Sequence, residues 1–325
     1  HMERGANQYA PMPGVPLLRE RIADKIARVY PGVRVHPDEV TVTAGATQAL
    51  FCAFAAFVRP GDEVIILEPC YDSYRPSVET VGGVVVPYQL SAPDYRIDWQ
   101  EVARLITPRT RMICTNTPCN PTGTVLHPDD LDALAALLEG TDIIHVSDEV
   151  YEHLIFDGLQ HATVLAHEAL RPRSIAIYSF GKTFHNTGWK TGYVVAPPEL
   201  TVEFRKIHQF NVFCANHPIQ AALAEFLEDP TTYEGLGDFY PAAMSGSSLR
   251  ALPCQGTYFQ LYDYSALSDE PDLAFCQRVT REFGVAAIPV SSFYSGKNEG
   301  KVIRLCFAKT EDVLKEAAER LRRMG

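Results

Sequence analysis

The chain has 325 residues, 46% of them hydrophobic and 21% charged, and a formal net charge of −11. That composition is globular, and the length suits two domains or one large domain with a smaller lobe. An acidic chain with no dense basic run excludes a nucleic-acid partner, because phosphate binding rests on clustered Lys and Arg.

His1 and Met2 read as a cloning scar. Residues 16–30 ("PLLRERIADKIARVY") space Leu18, Ile22, Ile26 and Val29 as one helical face, with Pro16 suited to its start and Pro31-Gly32 to its stop. "EVTVTAGATQALFCAFAAFV" predicts a short strand, a tight glycine turn and a buried helix. "DEVIILEP" (62–69) and "GVVVPYQL" (83–90) are apolar runs of strand length. "RMICTNTPCNPTG" (111–123) is a strand running into a proline-rich loop, and "DDLDALAALLEG" is helical. "DIIHVSDEVYEHL" is a strand ending near Asp148; "SIAIYSFGK" and "GYVVAP" are two more. Short apolar strands alternating with helices predict a mostly parallel α/β sheet. After about residue 230 the pattern changes: "GTYFQLYDYS" (256–265) and "KVIRLCFA" (301–308) read as half-buried strands and "EDVLKEAAERLRRM" as an amphipathic helix, a smaller α+β lobe.

No apolar run reaches the roughly 18 residues of a membrane helix, and no signal peptide is seen. The eight cysteines are scattered with no CxxC pair, which fits reduced thiols of a cytoplasmic enzyme and neither a disulfide framework nor a metal site.

Ligands of open parallel sheets bind at the carboxyl ends of the strands, and the chemistry-bearing residues gather there. Gly45-Ala46-Thr47 opens a helix whose free N–H groups and dipole favour a phosphate, although a tight turn alone has the same look. Asp148 ends a strand with Tyr151 three residues on, a pattern shared with helix caps. "NPTG" (120–123) is ambiguous in the same way, since Asn-Pro begins turns. Lys182 is the sharpest residue: it follows a buried strand, with Ser179 before it and Lys190 after it, among Gly181, Gly188 and Gly192.

Taken together, "NQYAPMPG", "TAGATQAL", "EPCYDSY", "NTPCNPTG", "SDEVYEHL", "SFGKTFHNTGWKTGY" and "IRLCFAK" resemble, in order and over nearly the whole chain, the blocks of the class I/II aminotransferases, which depend on pyridoxal 5′-phosphate (PLP). The wording is closest to the methionine and kynurenine/glutamine branch. The resemblance implies PLP fold type I: a large domain (9–232) built on a mostly parallel seven-stranded sheet flanked by helices, and a smaller α+β domain (233–325). It implies that Lys182 forms the internal aldimine with PLP and afterwards moves the proton at the substrate Cα. Asp148 would pair with the pyridine nitrogen, and Tyr151 and Asn120 would hydrogen-bond the ring oxygen. Tyr71 would stack on the ring, and Gly45, Ala46, Thr47, Ser179 and Lys190 would hold the phosphate. Relatives often carry arginine at the place of Lys190; lysine keeps the charge but loses the two-pronged bond. Tyr9 resembles a tyrosine that reaches the phosphate of a neighbouring subunit, so a homodimer with shared sites is expected. Arg304 resembles the clamp for the substrate α-carboxylate, with Asn120 beside it.

The implied reaction exchanges the amino group of an L-amino acid, with methionine, glutamine or an aromatic donor favoured, for that of a 2-oxo acid. Phe210 and Phe213 are expected to give aromatic walls or core. β-Elimination from cysteine conjugates is the alternative on the same fold; a non-catalytic PLP-sensing module is a remote one, for want of a basic helix-turn-helix. Relatives carry some tens of residues before "NQYAP", an arm over the substrate pocket, so residues 1–8 are expected to be its remnant. "FYPAAMSGSSLRALPC" (239–254) is also short, where a helix starting with basic residues is expected between Tyr240 and Leu249. Both are expected to mark omitted segments, a true truncation being the alternative. Glu68-Pro69 and Asn120-Pro121 are expected to be cis.

Overall fold

The computed structural model describes residues 1–233, 249–298 and 300–324. Seven strands form one sheet: β1 (Val40–Thr43), β2 (Glu63–Glu68), β3 (Val84–Gln89), β4 (Thr110–Asn116), β5 (Ile144–Asp148), β6 (Ser174–Ser179) and β7 (Gly192–Val195). Their order is β1-β7-β6-β5-β4-β2-β3, and all pairs are parallel except those of β7. The expected mostly parallel sheet is therefore borne out.

Strand side chains alternate between faces, and the sheet uses the alternation to build two cores. Val64, Ile66, Val146, Ile175 and Ile177 face one way, under α2 (Ala46–Phe57) and α7 (Pro198–Asn211) through Leu50, Phe54 and Phe204. Ile65, Ile113, Ala176 and Tyr178 face the other way, against α1 (Pro16–Val29) and α5 (Pro128–Leu138) through Leu18, Ile22, Ile26 and Leu134. The apolar stripe expected of residues 16–30 is the buried face of α1. Because β7 runs against β1 and β6, its first residue Gly192 stands level with Thr43 and Ser179, the last residues of its two neighbours. Asn116 and Asp148 are level in the same way. The carboxyl ends of β1, β4, β5 and β6 thus share one edge.

A second sheet, β10-β11-β9-β8, joins β8 (Arg250–Ala251), β9 (Phe259–Asp263), β10 (Ile288–Pro289) and β11 (Val302–Cys306), all antiparallel. Its own core gathers Tyr262, Tyr264, Phe275, Val279, Ile303 and Leu321. The strand expected over 256–265 begins only at Phe259, because Thr257 takes φ 73° and breaks the extended run. The helix expected between Tyr240 and Leu249 lies outside the described residues. Glu68-Pro69 and Asn120-Pro121 are cis, as are Ala92-Pro93 and Thr117-Pro118. All eight cysteines are free thiols. Among the described residues no helix is long and apolar enough to cross a membrane, and no cluster of three ligands could hold a metal ion.

Candidate active site

A cavity of about 280 Å³ opens at the shared edge of the sheet. Lys182, Asp148, Tyr151, Asn120, Gly45, Ala46, Thr47, Tyr71, Ser179, Lys190 and Arg304 all line it. They come from stretches between 45 and 304 along the chain, and the parallel topology is what collects them. Tyr9 is the exception: it is 83% exposed and packs edge to face on Phe213, outside this chain's cavity.

At one end, α2 begins at Ala46 after Gly45 at φ 85°. The first N–H groups of a helix have no partner within it and carry its positive pole. Gly192 makes room for this turn: a Cβ there would stand 2.5 Å from the Tyr178 carbonyl oxygen and 3.2 Å from the Ala46 nitrogen. Lys190, left-handed at φ 52°, lays its stem against Gly45. Gly181 admits Ser179 and Thr187, since its Cβ would meet Thr187 Cα at 3.0 Å. The result is a cationic, donor-rich cradle.

In the middle, Asp148 is buried at the end of β5, on the same side as Ile144 and Val146. Tyr74 donates to it at 2.6 Å and the Val150 N–H at 3.3 Å, both neutral donors. Burial pushes its carboxyl up to about 6, against the pull of those bonds and of the Lys182 charge. A buried carboxyl without a close cation is what a protonated ring nitrogen needs beside it. Lys182 Nζ donates to the Tyr258 hydroxyl at 2.8 Å. Burial, then the charge and hydrogen bond of Tyr258, raise the phenol of Tyr151 well above its ordinary value. Tyr71 shares a hydrogen bond with Thr47 at 3.0 Å.

At the other end, Arg304 stands on β11 and donates through Nη1 to Asn120 Oδ1. Its guanidinium carbon lies 3.9 Å from the centroid of the Phe259 ring and 4.9 Å from that of Phe293, so two aromatic rings support the cation. Burial lowers its pKa. Asn120 is itself held, its N–H donating to Asn116 Oδ1 at 2.7 Å while Asn116 donates to the Asp148 carbonyl at 2.8 Å.

Phe210 and Phe213 are neither wall nor core within this chain: they are 86% and 40% exposed, and the cavity's aromatic surfaces are Tyr71, Tyr151 and Phe259. Sequence reasoning also passed over Tyr74, Tyr258 and Phe293. Tyr74 carried a signal, standing three residues after Tyr71 in the same block; Tyr258 and Phe293 carried none. The cavity suits the polar groups of PLP: an anion cradle for the phosphate, a buried carboxyl for the ring nitrogen, an amine for the aldehyde, and the Tyr151 and Asn120 side chains for the ring oxygen.

The family model "Aminotransferase class I and II" matches residues 1–321. The methionine aminotransferase of Escherichia coli K12 is 51% identical over 333 residues, covering 100% of this chain and 86% of its own. Kynurenine–oxoglutarate transaminase 1 of Mus musculus is 35% identical over 356 residues, covering 97% and 84%. The crystal structure of an Escherichia coli protein identified as having a methionine aminotransferase function superposes with a TM-score of 0.97 at 51% identity, over 99% of this chain and 87% of that one. This chain belongs to the class I and II aminotransferases and is a PLP-dependent transaminase.

Proposed function

We propose that this transaminase draws its amino group from an L-amino acid with an uncharged side chain, methionine first and glutamine or aromatic amino acids after it, and delivers it to a 2-oxo acid. One observation carries the reading: among the described residues lining the cavity the cations are Lys182, Lys190 and Arg304, and each already has a task. No cation is left over for the second carboxylate of a dicarboxylic donor. The apolar rings of Phe259 and Tyr71 suit a thioether or an aromatic side chain. The name of the Escherichia coli relative agrees with that choice.

PLP, when bound, supplies the aldehyde that accepts the amino group and a conjugated ring that spreads the charge released at the substrate Cα. The cradle of Gly45, Ala46, Thr47, Ser179 and Lys190 holds the phosphate. Asp148 keeps a proton on the ring nitrogen. Asn120 has committed its Oδ1 to Arg304, so its Nδ2 is left to donate toward the ring oxygen beside the Tyr151 hydroxyl. Tyr71 covers the ring. Arg304 binds the α-carboxylate along a guanidinium edge, orienting the Cα–H bond. Lys182 Nζ takes the proton from Cα and returns it, beside the aromatic rings of Tyr71, Tyr151 and Phe259.

Tyr9 belongs in this scheme to the phosphate site of a second copy, which makes the active unit a homodimer. Its exposure away from its own cavity supports that placement. Eight free thiols support a reducing compartment, the cytoplasm. The separate core around Tyr262 and Phe275 supports a small second domain. Steady-state rates with a fixed 2-oxo acid test the donor. The kcat/KM for L-methionine is expected to exceed that for L-aspartate by about a hundredfold, roughly the discrimination expected of an unpaired buried charge. A preference for aspartate would overturn the reading.

A further inference from the structure

Tyr258 stands beside Lys182 without a task in the reaction as described. Its phenol oxygen accepts the Lys182 Nζ hydrogen bond at 2.8 Å. Nζ lies 5.4 Å from the Tyr258 ring centroid and 5.6 Å from that of Tyr151, and the two rings meet edge to face at 5.4 Å. The amine therefore sits beside two aromatic rings, at the hydroxyl edge of Tyr258.

The backbone is built to put that hydroxyl there. Residues 255–257 wedge between two loops of the first sheet. Gln255 and Gly256 donate to the Gly123 carbonyl at 2.8 and 2.9 Å, Thr257 donates to Leu154 O at 2.9 Å, and Phe156 donates back to Gln255 O at 2.9 Å. Only a glycine fits at 256, where a Cβ would stand 2.6 Å from Leu154 O and 2.7 Å from Pro118 Cβ. Thr257 then holds φ 73°, a strained conformation rare for a β-branched residue. The Phe259 N–H donates to its Oγ1 at 3.2 Å. A strained turn clamped on both sides turns Tyr258 toward Lys182 while Phe259 goes on to back Arg304.

We propose that Tyr258 is the positioning residue for Lys182: its phenol oxygen holds Nζ at the cavity wall, facing the substrate, whenever the amine is not joined to the cofactor. The proposal rests on the reading of Lys182 as the cofactor lysine. Holding a free lysine side chain in one conformer costs rotamer entropy. A hydrogen bond that selects the cavity-facing conformers removes that cost from each proton transfer, as near-attack placement does in general.

Tyr258→Phe keeps the ring contacts and removes the hydroxyl, with its bond to Lys182 and its bond to Tyr151; PLP capture by the stripped protein reads the Lys182 bond. In the PLP-loaded protein it is expected to lower kcat with L-methionine about tenfold, equivalent to about 1.4 kcal/mol, and to leave KM within about twofold. In the PLP-stripped protein it is expected to slow the capture of added PLP several-fold, read by borohydride trapping and peptide mapping. Unchanged kcat and unchanged capture would overturn the proposal. A raised KM at unchanged kcat would also overturn it, making Tyr258 a substrate wall. Trapped PLP mapped to a lysine other than Lys182 would overturn the reading of Lys182 itself, an outcome distinct from the other two.

Discussion

At Asp148 the interior keeps a carboxyl whose pKa burial lifts from 3.8 to about 6, although Tyr74 and the Val150 N–H donate to it. Between those two values the folded, cofactor-free chain holds a proton that the unfolded chain has released. The stability this proton confers is lost as pH rises through the window, and above about pH 6 the buried charge costs about 3 kcal/mol. Asp148→Asn removes the titration. Urea denaturation of the PLP-stripped variant should show it more stable than the stripped parent at pH 8 by about 2–3 kcal/mol, with the difference shrinking toward pH 4, while turnover with methionine falls by orders of magnitude. An equal difference at both pH values would contradict the account of this site. A group that lowers the stability of the empty protein and is satisfied by a cationic ligand marks a binding function. The same scale shows what could be seen in the letters. Lys182, Asp148 and Arg304 stood in recognisable blocks. Tyr258 lies 76 residues from its partner Lys182, and nothing local in "GTYF" reports that meeting.

The element that carries Asp148 is held from behind. After β5 the turn at 149–152 alternates: Asp148 and Tyr151 face the cavity, while Glu149 and Glu152 face away into buried hydrogen-bond networks. Glu149 accepts from Ser147 Oγ at 2.9 Å, His161 Nε2 at 2.8 Å, Val164 N at 2.9 Å and Tyr178 at 2.9 Å. Glu152 accepts from Lys25 at 2.6 Å, Tyr30 at 2.5 Å and Tyr193 at 3.3 Å. Burial alone would raise the Glu152 pKa, but the Lys25 charge and these bonds hold it down to about 2. Lys25 is 1% exposed, one turn from Ile22 on the buried face of α1, so the pair pins that helix to the turn behind the site. Lys25→Met would leave Glu152 ionised in the interior without the Lys25 charge, held only by neutral donors such as the Tyr30 and Tyr193 hydroxyls. The expected loss is about 3–5 kcal/mol in urea denaturation, with Lys25→Met/Glu152→Gln recovering most of it. A loss under about 1 kcal/mol for the single variant would mean that the pair does not anchor the turn. The helical stripe of Leu18, Ile22 and Ile26 was legible because its period is local. Nothing local marks Lys25 as buried, because its partner is 127 residues away.

Across the whole molecule, legibility followed the range of the interaction. Strand runs and their alternation with helices fixed the class of sheet in advance, since each strand's apolar period is written within six or seven residues. Phe210 and Phe213 were misjudged because aromatic character alone does not tell a wall from an exposed face. The fold then does the collecting: four strand ends at one edge supply the donor-rich cradle, the carboxyl and the lysine, and the second sheet adds Arg304 and Phe259 to the cavity's lining. The central claim is that these groups together take an amino group from methionine. It is tested most directly by absorbance of the PLP-loaded protein after addition of L-methionine with no 2-oxo acid present. Conversion of the bound cofactor from its aldehyde to its amine form, stopping after one equivalent per site and absent in Lys182→Ala, is the predicted result. A cofactor that stays in its aldehyde form with methionine, yet converts fully with L-aspartate, would contradict it.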